Sequence, residues 1–315
     1  MAPKTTKDTE VLIKSSKEAV ERNDANNFSV HFDITEVLYS KKSPFQKVEV
    51  VQTKGHGRML LNDDLVMITE RDEFVYHDMI THVPLFVHPN PKRVLVIGGG
   101  DGGTAREVLR HKSVEKCDMV EIDGLVVEAC RQFIPQTAVG MQESPRFELF
   151  IEDGVKFVHE TKNKYDVIIV DSTDPIGPAT PLFGIDFYRD VYKCLAPNGI
   201  VVSQGESPFY NADTQVAMSK ILGQLFPIVR YYNFTNLTYP GGFWSFSFAS
   251  KTLHPVRDFE YLRVGQSGLK FNYYNAELHS AAFQLPSFQL QNIAQYLKDG
   301  VVTAAFSAIG KNGRQ

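Results

Sequence analysis

The sequence predicts an α/β protein in which helices cover both faces of a mostly parallel sheet, with a small antiparallel β-sheet domain in front. Residues 28–69 form short stretches of alternating apolar and polar residues, which is typical of antiparallel strands with one solvated face. From residue 94 onward, apolar β-branched runs alternate with amphipathic segments, which indicates a parallel sheet between two helical layers. A chain of 315 residues, 43% of them apolar, is long enough for two such units.

The N-terminal part is predicted to contain a tail, a sheet and a helix. Residues 1–27 are polar and weakly patterned, so we expect a tail with at most one loose helix. The stretches FSVHFDITEVLYS, FQKVEVVQT and GRMLLNDDLVMIT predict strands, and residues 62–64 (NDD) supply a turn within the last of them. The segment from Glu70 to Phe86 opens with acidic residues, repeats apolar residues at helical spacing and stops before Pro89, which predicts a helix. We therefore place a β-rich N-terminal domain with its linking helix at residues 28–87.

The second predicted domain, at residues 88–300, is Rossmann-like, of the class I methyltransferase type. We expect helices after the first strand, from about Thr104, and near residues 212–225. Residues 301–315 are predicted to be a C-terminal tail. The runs that predict the main strands are VLVIGGG (94–100), CDMVEID (117–123), RFELFIED (146–153), YDVIIVDS (165–172) and GIVVSQG (199–205).

Composition excludes several classes of function. Lys and Arg number 33 against 37 Asp and Glu, so no excess of basic charge points to nucleic acid or to an anionic membrane. No apolar run is long enough for a transmembrane helix, and the polar N-terminus does not resemble a signal peptide, so we expect a cytoplasmic protein. Three cysteines without CxxC spacing are expected to be buried thiols, and three histidines without metal-binding spacing to have packing or surface roles: Cys117, Cys130, Cys194, His82, His88 and His111.

Carboxylates follow four of the predicted parallel strands. Ligands of such sheets bind outside the carboxyl ends of the strands, so these side chains are candidates for one site. A single carboxylate there often only caps a helix, but four consecutive strand ends are harder to explain in that way. The acidic residues at these ends are Asp101, Glu121, Asp123, Glu152, Asp153, Asp171 and Asp174.

The first strand ends in a glycine loop that contains an aspartate. Gly98, Gly100 and Gly103 fit GxGxxG, a pattern that dinucleotide enzymes and adenosyl-sulfonium transferases share. Asp101 would repel a pyrophosphate, and it would also repel the carboxylate of S-adenosylmethionine. Two like charges ~4 Å apart at an effective dielectric near 20 cost about 4 kcal/mol. The loop therefore favours decarboxylated S-adenosylmethionine, an aminopropyl donor, over the methyl donor.

Seven sequence blocks in register resemble the spermidine synthases, the putrescine aminopropyltransferases of polyamine synthesis. The similarity runs from about residue 30 to 290, and it is the set, rather than the glycine loop alone, that is specific. The blocks are ERDEFVYHDM (70–79), IGGGDGG (97–103), VEID (120–123), DGV (153–155), DSTDPIGPATPLF (171–183), TYPGG (238–242) and YYNAELHSAAFQLP (273–286).

The resemblance implies transfer of an aminopropyl group from decarboxylated S-adenosylmethionine to putrescine, giving spermidine and methylthioadenosine. It implies a homodimer or a tetramer, and no metal or other cofactor. By position it assigns Asp171 as the proton acceptor. It also assigns Gln46, His77, Asp101, Glu121, Asp153 and Gly154 to the donor, and Tyr76, Asp171, Asp174 and Tyr239 to putrescine. Residues 204–206 (QGE) are expected to place polar groups near the diamine.

The implied reaction explains why these residue types are needed. An alkylamine with a pKa near 10.4 is almost entirely protonated at neutral pH, so Asp171 is expected to orient it and accept its proton. With an ordinary pKa near 4, Asp171 would be a weak base, and we expect the rate to rise toward alkaline pH. The loop Ser172–Ile185 holds three prolines and two glycines and is expected to close over the substrates. Trp244 is expected to be a core or dimer contact.

Other functions stay open at this stage. A putrescine N-methyltransferase would share nearly all these blocks, and an aminopropyltransferase could instead act on spermidine, cadaverine or agmatine. An NAD-dependent dehydrogenase could use the glycine loop, and an inactive polyamine-sensing module could keep the fold. Product analysis with both donors would separate the aminopropyltransferases from the methyltransferase. Nicotinamide binding would identify the dehydrogenase, and absence of turnover would identify the inactive sensing module.

Overall fold

The computed structural model of the protein describes residues 18–300. Its first unit is a five-stranded antiparallel sheet in which the strands pair in chain order. Every strand connects to the next by a short turn, so alternate side chains of each strand face one small core. The strands are β1 (Glu18–Asn23), β2 (Phe28–Lys42), β3 (Lys47–Thr53), β4 (Arg58–Asn62) and β5 (Leu65–Thr69).

The structure corrects the expectation of a tail over residues 1–27. Residues 18–23 form β1, which pairs antiparallel with β2 from Glu18 opposite Asp33 to Asn23 opposite Phe28. As an edge strand β1 is half-exposed along its length, and its polar sequence EAVERN therefore carries little apolar alternation. The loose helix considered for this segment does not occur in residues 18–27, whereas residues 1–17 and the predicted tail 301–315 lie outside the described residues.

Helix α1 (Glu73–Val87) connects the two units, close to the range predicted for it. It begins three residues later than expected because residues 70–72 form a turn. Asp72, at the N-cap, accepts hydrogen bonds from the backbone N–H groups of Leu237 and Thr238 instead of capping the helix. All residues of α1 except Phe74 are buried, so the helix is part of the core between the units.

The second unit confirms the predicted mostly parallel sheet with helices on both faces. Its eight strands have the order β13-β11-β12-β10-β9-β6-β7-β8, in which the five from β10 to β8 are parallel. The strands are β6 (Arg93–Gly98), β7 (Lys116–Glu121), β8 (Phe147–Ile151), β9 (Tyr165–Asp171), β10 (Leu195–Gln204), β11 (Ile228–Thr235), β12 (Phe243–Ser250) and β13 (Lys298–Asp299). The helices are α2 (Gly103–Arg110), α3 (Gly124–Phe133), α4 (Pro135–Ala138), α5 (Gly154–Glu160), α6 (Ile185–Cys194), α7 (Ala212–Leu225), α8 (Tyr261–Gln266), α9 (Ala276–Ala282) and α10 (Ser287–Ile293).

The strand order reverses between β6 and β9. The chain moves outward from β6 through β7 to β8, and then returns to add β9 and β10 on the other side of β6. Gly98, at the end of β6, pairs with Asp171, at the end of β9. A crevice forms at such a reversal because the connections leave in opposite directions, and ligands of open α/β sheets bind there.

Other side chains confirm parts of the composition analysis. The three cysteines are free and buried. His82, His88 and His111 are buried as well, and His82 and His111 are hydrogen-bonded to each other at 2.9 Å. Within residues 18–300 no helix has the length and apolar character needed to cross a lipid bilayer.

Candidate active site

A cleft lies at the carboxyl ends of β6, β7, β8 and β9, with the N-terminal sheet as its opposite wall. The structure brings all ten predicted site residues to this cleft: Gln46, Tyr76, His77, Asp101, Glu121, Asp153, Gly154, Asp171, Asp174 and Tyr239. The first unit adds side chains that the sequence analysis did not consider for the site, among them Glu21, Leu65 and Met67. The cleft is therefore built by both units.

The glycine loop is shaped by its contact with β9. Gly98 and Gly99 have φ values of 82° and 69°, a left-handed conformation that glycine adopts readily. The Gly99 N–H donates to the Asp171 carbonyl at 2.8 Å, and a Cβ on Gly98 would lie 2.1 Å from that oxygen. Glycine at position 98 thus lets the loop approach the carbonyl of the residue whose side chain is the predicted proton acceptor.

Asp101 has both a structural and an electrostatic environment. Its Oδ1 accepts the Gly103 N–H at 2.8 Å, which stabilises the turn into α2, and the same oxygen lies 3.2 Å from Nε2 of His77. The side chain is buried and lines the cleft. The sequence analysis considered only the negative charge of Asp101, whereas the structure places a histidine beside it.

His77 is enclosed by carboxylates at both ring nitrogens. Nδ1 lies 2.5 Å from Oε2 of Glu73, and Nε2 faces Asp101. Glu73 also accepts two hydrogen bonds from Arg106, at 2.9 Å each. Burial alone lowers the pKa of His77, but the two carboxylates outweigh it and raise that pKa to about 10. The ring is therefore an imidazolium at neutral pH.

Asp171, the predicted proton acceptor, is held in place from two sides. Its Oδ2 accepts the Thr104 hydroxyl at 2.6 Å, and Tyr76 faces the carboxylate from the other side. Burial and the charge of Asp101 raise the pKa of Asp171, and these effects outweigh His77, Thr104 and Tyr76, which lower it. Asp171 is consequently a stronger base than the ordinary carboxylate we assumed from the sequence.

The end of the cleft predicted to hold the donor nucleoside contains Glu121 and Gln46. Glu121 is buried, which raises its pKa to about 7, and it accepts the Asp123 N–H at 2.8 Å. The side chain of Asp123 in turn accepts Nε2 of Gln46 at 3.1 Å. Asp123 lies behind the cleft and fixes the amide of Gln46, a positioning role that its place after a strand end did not reveal.

At the next strand end, Asp153 caps a helix and also lines the cleft. Its Oδ1 accepts the Val155 N–H at the start of α5, so the capping interpretation holds here together with the predicted position at the site. A Cβ on Gly154 would lie 2.6 Å from Ile97, so the close packing of α5 on β6 requires a glycine.

Three aromatic side chains form part of one wall of the cleft. The rings of Tyr76 and Tyr239 meet edge to face at 5.8 Å, and Trp244 lies 5.0 Å from Tyr239. The Tyr239 hydroxyl donates to the Met67 carbonyl at 3.1 Å, which connects the two units. Trp244 is buried, as expected for a core residue, but it also lines the cleft.

Asp174 lies in the cleft next to the end of β10. Its Oδ1 accepts Nε2 of Gln204 at 3.1 Å, and both residues line the cleft. Residues 177–183 of the following loop form a 3-10 segment, of which Gly177, Pro178, Ala179 and Leu182 also line it. The sequence analysis missed Thr104 and Glu21; the first follows the glycine loop directly, whereas the second lies in the presumed tail.

The chain is similar to known proteins both in sequence and in structure. The model of the spermine/spermidine synthase domain matches residues 73–259, and that of the spermidine synthase tetramerisation domain matches residues 19–70. A polyamine aminopropyltransferase of Alkaliphilus metalliredigens is 49% identical over 264 residues, which cover 83% of this chain and 93% of the relative. One of Methanocaldococcus jannaschii is 44% identical over 281 residues, which cover 89% and 93%.

Two solved structures are similar to the whole described fold. A spermidine synthase crystallised with the transition-state analogue AdoDATO superimposes with a TM-score of 0.87 at 40% identity, covering 91% of this chain and 98% of the other. The spermidine synthase of Thermotoga maritima superimposes with a TM-score of 0.85 at the same identity and coverage. These similarities extend over both units and over the cleft between them.

Proposed function

The chain belongs to the spermine/spermidine synthase family, the polyamine aminopropyltransferases, and we propose that it makes spermidine from putrescine and decarboxylated S-adenosylmethionine. The observation that carries the proposal is the environment of Asp171. This half-buried carboxylate lies where β6 meets β9, accepts the Thr104 hydroxyl, faces Tyr76, and has a raised pKa. A carboxylate so placed can bind and deprotonate an amine that attacks a donor held by the glycine loop.

In this proposal the donor nucleoside lies over the glycine loop. Glu121 is the last residue of β7, about 20 residues beyond the loop, where an acidic side chain can hold ribose hydroxyls. Asp153 and Gly154, at the next strand end, and Gln46, from the N-terminal sheet, would contact the rest of the nucleoside. Asp101 with His77 beside it would face the aminopropyl group. Because His77 offsets one negative charge, preference for the decarboxylated donor rests on Asp101 and Asp171 together.

The chemical step is a nucleophilic substitution at the methylene next to the sulfonium. The amine lone pair forms the new C–N bond, the C–S bond breaks, and its electron pair stays on sulfur as a neutral thioether. The attacking nitrogen loses a proton to Asp171, from which it passes to water. The leaving group needs no acid, so the catalytic contribution lies in holding the reacting atoms together and in deprotonating the amine.

Putrescine is a four-carbon diammonium, and the cleft offers an acidic group for each end. Asp171 would bind the reacting amine and Asp174 the distal ammonium. The rings of Tyr76 and Tyr239 lie along the wall between them and suit both the methylenes and a cation–π contact. The pKa values of both tyrosines are well above 10 because of burial, so the hydroxyls stay protonated.

We further propose that the reaction needs no metal or other cofactor. The ligand atoms of His77, Asp101 and Asp171 lie within 4.8 Å of one another, a spacing that a metal ion could use. However, both nitrogens of His77 face carboxylates and the ring is protonated, so neither nitrogen offers a lone pair. We read these three residues as an ion-paired cluster.

The match to a tetramerisation domain at residues 19–70 supports assembly of several copies, and we propose a homodimer or a tetramer. We also propose that the protein acts in the cytoplasm, where polyamine substrates would be available to it.

Product analysis tests the proposed function. Purified protein is incubated with decarboxylated or intact S-adenosylmethionine, each with putrescine, cadaverine, agmatine or spermidine, with and without EDTA. We expect spermidine and methylthioadenosine from the decarboxylated donor and putrescine, unaffected by EDTA. N-methylputrescine from the intact donor would instead identify a methyltransferase, and preference for another amine would overturn the assignment of putrescine.

A further inference from the structure

Glu206 is a buried carboxyl group in a backbone conformation that is costly for its residue type. It follows β10, is 1% exposed and has a φ of 65°, in the left-handed region. Such a conformation costs of order 1–3 kcal/mol in a residue other than glycine, and it persists only where the surroundings hold it. Here the carbonyl of Glu206 accepts hydrogen bonds from Ser245 Oγ at 2.8 Å and Gln215 Nε2 at 3.2 Å.

The same conformation directs the Glu206 side chain toward Asp174. Nε2 of Gln204 donates to Oδ1 of Asp174 at 3.1 Å and to Oε1 of Glu206 at 3.0 Å, so both carboxyl groups converge on one amide nitrogen. Oε1 of Gln204 accepts the Glu206 N–H, which fixes the amide in this orientation. Because both bonds end on one nitrogen atom, Oδ1 of Asp174 and Oε1 of Glu206 lie close to each other. Two carboxylates this close repel each other when both are charged, so one proton shared between them stabilises the pair.

The groups around this pair offer no positive charge to replace that proton. Glu21, from β1, adds a further carboxylate close enough to interact with Asp174, and Asn211, just before α7, donates to Glu206. Tyr231 on β11 and Tyr239 are neutral phenols. In the described part of the chain no Lys, Arg or His forms an ion pair with Glu21, Asp174 or Glu206. Asp101 at the reacting end differs, because His77 lies beside it.

We propose that Glu206 is a positioning residue for the distal ammonium: it shares a proton with Asp174 in the free enzyme and releases that proton when a diamine binds. This inference rests on the proposed function, since it assumes that a diammonium occupies the cleft. The ammonium stays protonated, the proton leaves the carboxyl pair for water, and the positive charge of the substrate replaces it. Burial and Asp174 raise the pKa of Glu206 to about 8, so at pH 7 the proton is available for this exchange.

The exchange would give selectivity for amines charged at both ends. A monoamine leaves the proton on the pair and gains nothing from Asp174 beyond a neutral contact. A diamine gains a full ion pair, but the carboxyl pair must release one proton. Because that release becomes easier as pH rises toward the pKa of Glu206, the KM of the diamine should fall. This pH dependence belongs to substrate binding and is separate from the deprotonation of the attacking amine by Asp171.

Titration calorimetry measures the exchange directly. Enzyme saturated with methylthioadenosine is titrated at pH 7 with putrescine or with 1-aminobutane, in two buffers of different ionisation enthalpy. We expect putrescine to release about 0.5 to 1 proton more than 1-aminobutane. Glu206→Gln should abolish this difference, raise KM for putrescine about tenfold with kcat within about threefold, and remove the fall of KM between pH 6.5 and 8. The exposed Glu160→Gln serves as the matched control and should leave all three unchanged.

Glu206→Asp keeps the test decisive if the glutamine variant does not fold. Aspartate tolerates the left-handed conformation better than most residues, but its shorter side chain should lose the contact with Asp174 and give the same loss of proton release. Equal proton release by the two amines in the unchanged enzyme would overturn the shared proton while leaving aminopropyl transfer intact. Absence of any turnover of putrescine would overturn the proposed function itself.

Discussion

At the scale of single residues, Asp171 shows how burial and hydrogen bonding act against each other. Removal from water raises its pKa, while Thr104, Tyr76 and His77 favour its charged form. The balance leaves a carboxylate that is oriented by the Thr104 hydroxyl and is more basic than one in solution. Such a group suits an amine that must be held and deprotonated in the same position.

Replacing Asp171 and replacing Thr104 should lower the rate of aminopropyl transfer to different degrees. We expect Asp171→Asn to lower kcat/KM by about 10³-fold, because the amide can neither accept the proton nor stabilise the ammonium. Thr104→Val should cost about tenfold, mainly in kcat, because Asp171 remains but is less well oriented. Initial rates of methylthioadenosine formation measure both. Thr252→Val, at an exposed position, is the control, and equal rates for Thr104→Val and this control would contradict the orienting role.

Asp101 allows a test of donor selection. Asparagine keeps the oxygen that accepts the Gly103 N–H, so the turn should survive while the charge is lost. We expect Asp101→Asn to reduce the preference for decarboxylated over intact S-adenosylmethionine by about tenfold or more, because repulsion of the donor carboxylate is weakened. Calorimetric affinities for the two nucleosides give the ratio. An unchanged ratio would mean that Asp101 only shapes the loop.

The candidate site was predictable where its residues follow the carboxyl ends of strands. Asp101, Glu121, Asp153 and Asp171 could be placed together because the topology of a parallel sheet determines where strand ends meet. Thr104 could not, since its role depends on which hydroxyl reaches Asp171 in three dimensions. The cation at His77 depends on Glu73, one helical turn away, and on a carboxylate from another element.

At the scale of elements, the strands that are buried on both faces were the ones that the sequence predicted best. Runs such as those of β6 and β9 have few other interpretations. Strand β1 was missed because an edge strand buries little on either side, so its polar sequence resembles that of a tail. Glu21 was therefore missed together with the strand that carries it.

The loop after β9 gives a prediction at this scale. Residues 172–185 include a 3-10 segment that lines the cleft while Ile176 remains 61% exposed. We expect the loop to become at least about fivefold more resistant to limited proteolysis when methylthioadenosine and putrescine are both bound, because closure removes it from solvent. Mass spectrometry of the fragments identifies the cleavage sites. Cleavage at the same rate with and without ligands would show that the loop does not close.

At the scale of the whole molecule, the acidic groups of the cleft lower the free energy of unfolding when they are charged. Burial raises the pKa of Glu21 and Glu121 to about 7 and that of Glu206 to about 8. Since the folded state holds these protons more tightly than the unfolded chain, the free energy of unfolding decreases as pH rises from about 4.5 to 8. His77 contributes a pH dependence of the same sign, because its stabilising charge is lost as pH rises from about 6.5 to 10.

Urea unfolding should therefore show greater stability at pH 5.5 than at pH 8.5, by on the order of 2 to 4 kcal/mol. Glu121→Gln keeps the hydrogen bond from the Asp123 N–H and should flatten the slope. Glu143→Gln, on the surface, should leave it unchanged. A free energy of unfolding that increases toward pH 8.5 in the unchanged protein would contradict these assignments.

The hydroxyl of Tyr239 ends on the carbonyl of Met67, and Asp72 holds the backbone of the same loop. One wall of the cleft thus depends on contacts with the N-terminal sheet. A design that introduces this site into a methyltransferase without such a domain must therefore include the N-terminal sheet as well as the catalytic loops. Without it, the recipient would keep the strand ends and the glycine loop but would lose the side chains that the N-terminal sheet contributes to the cleft.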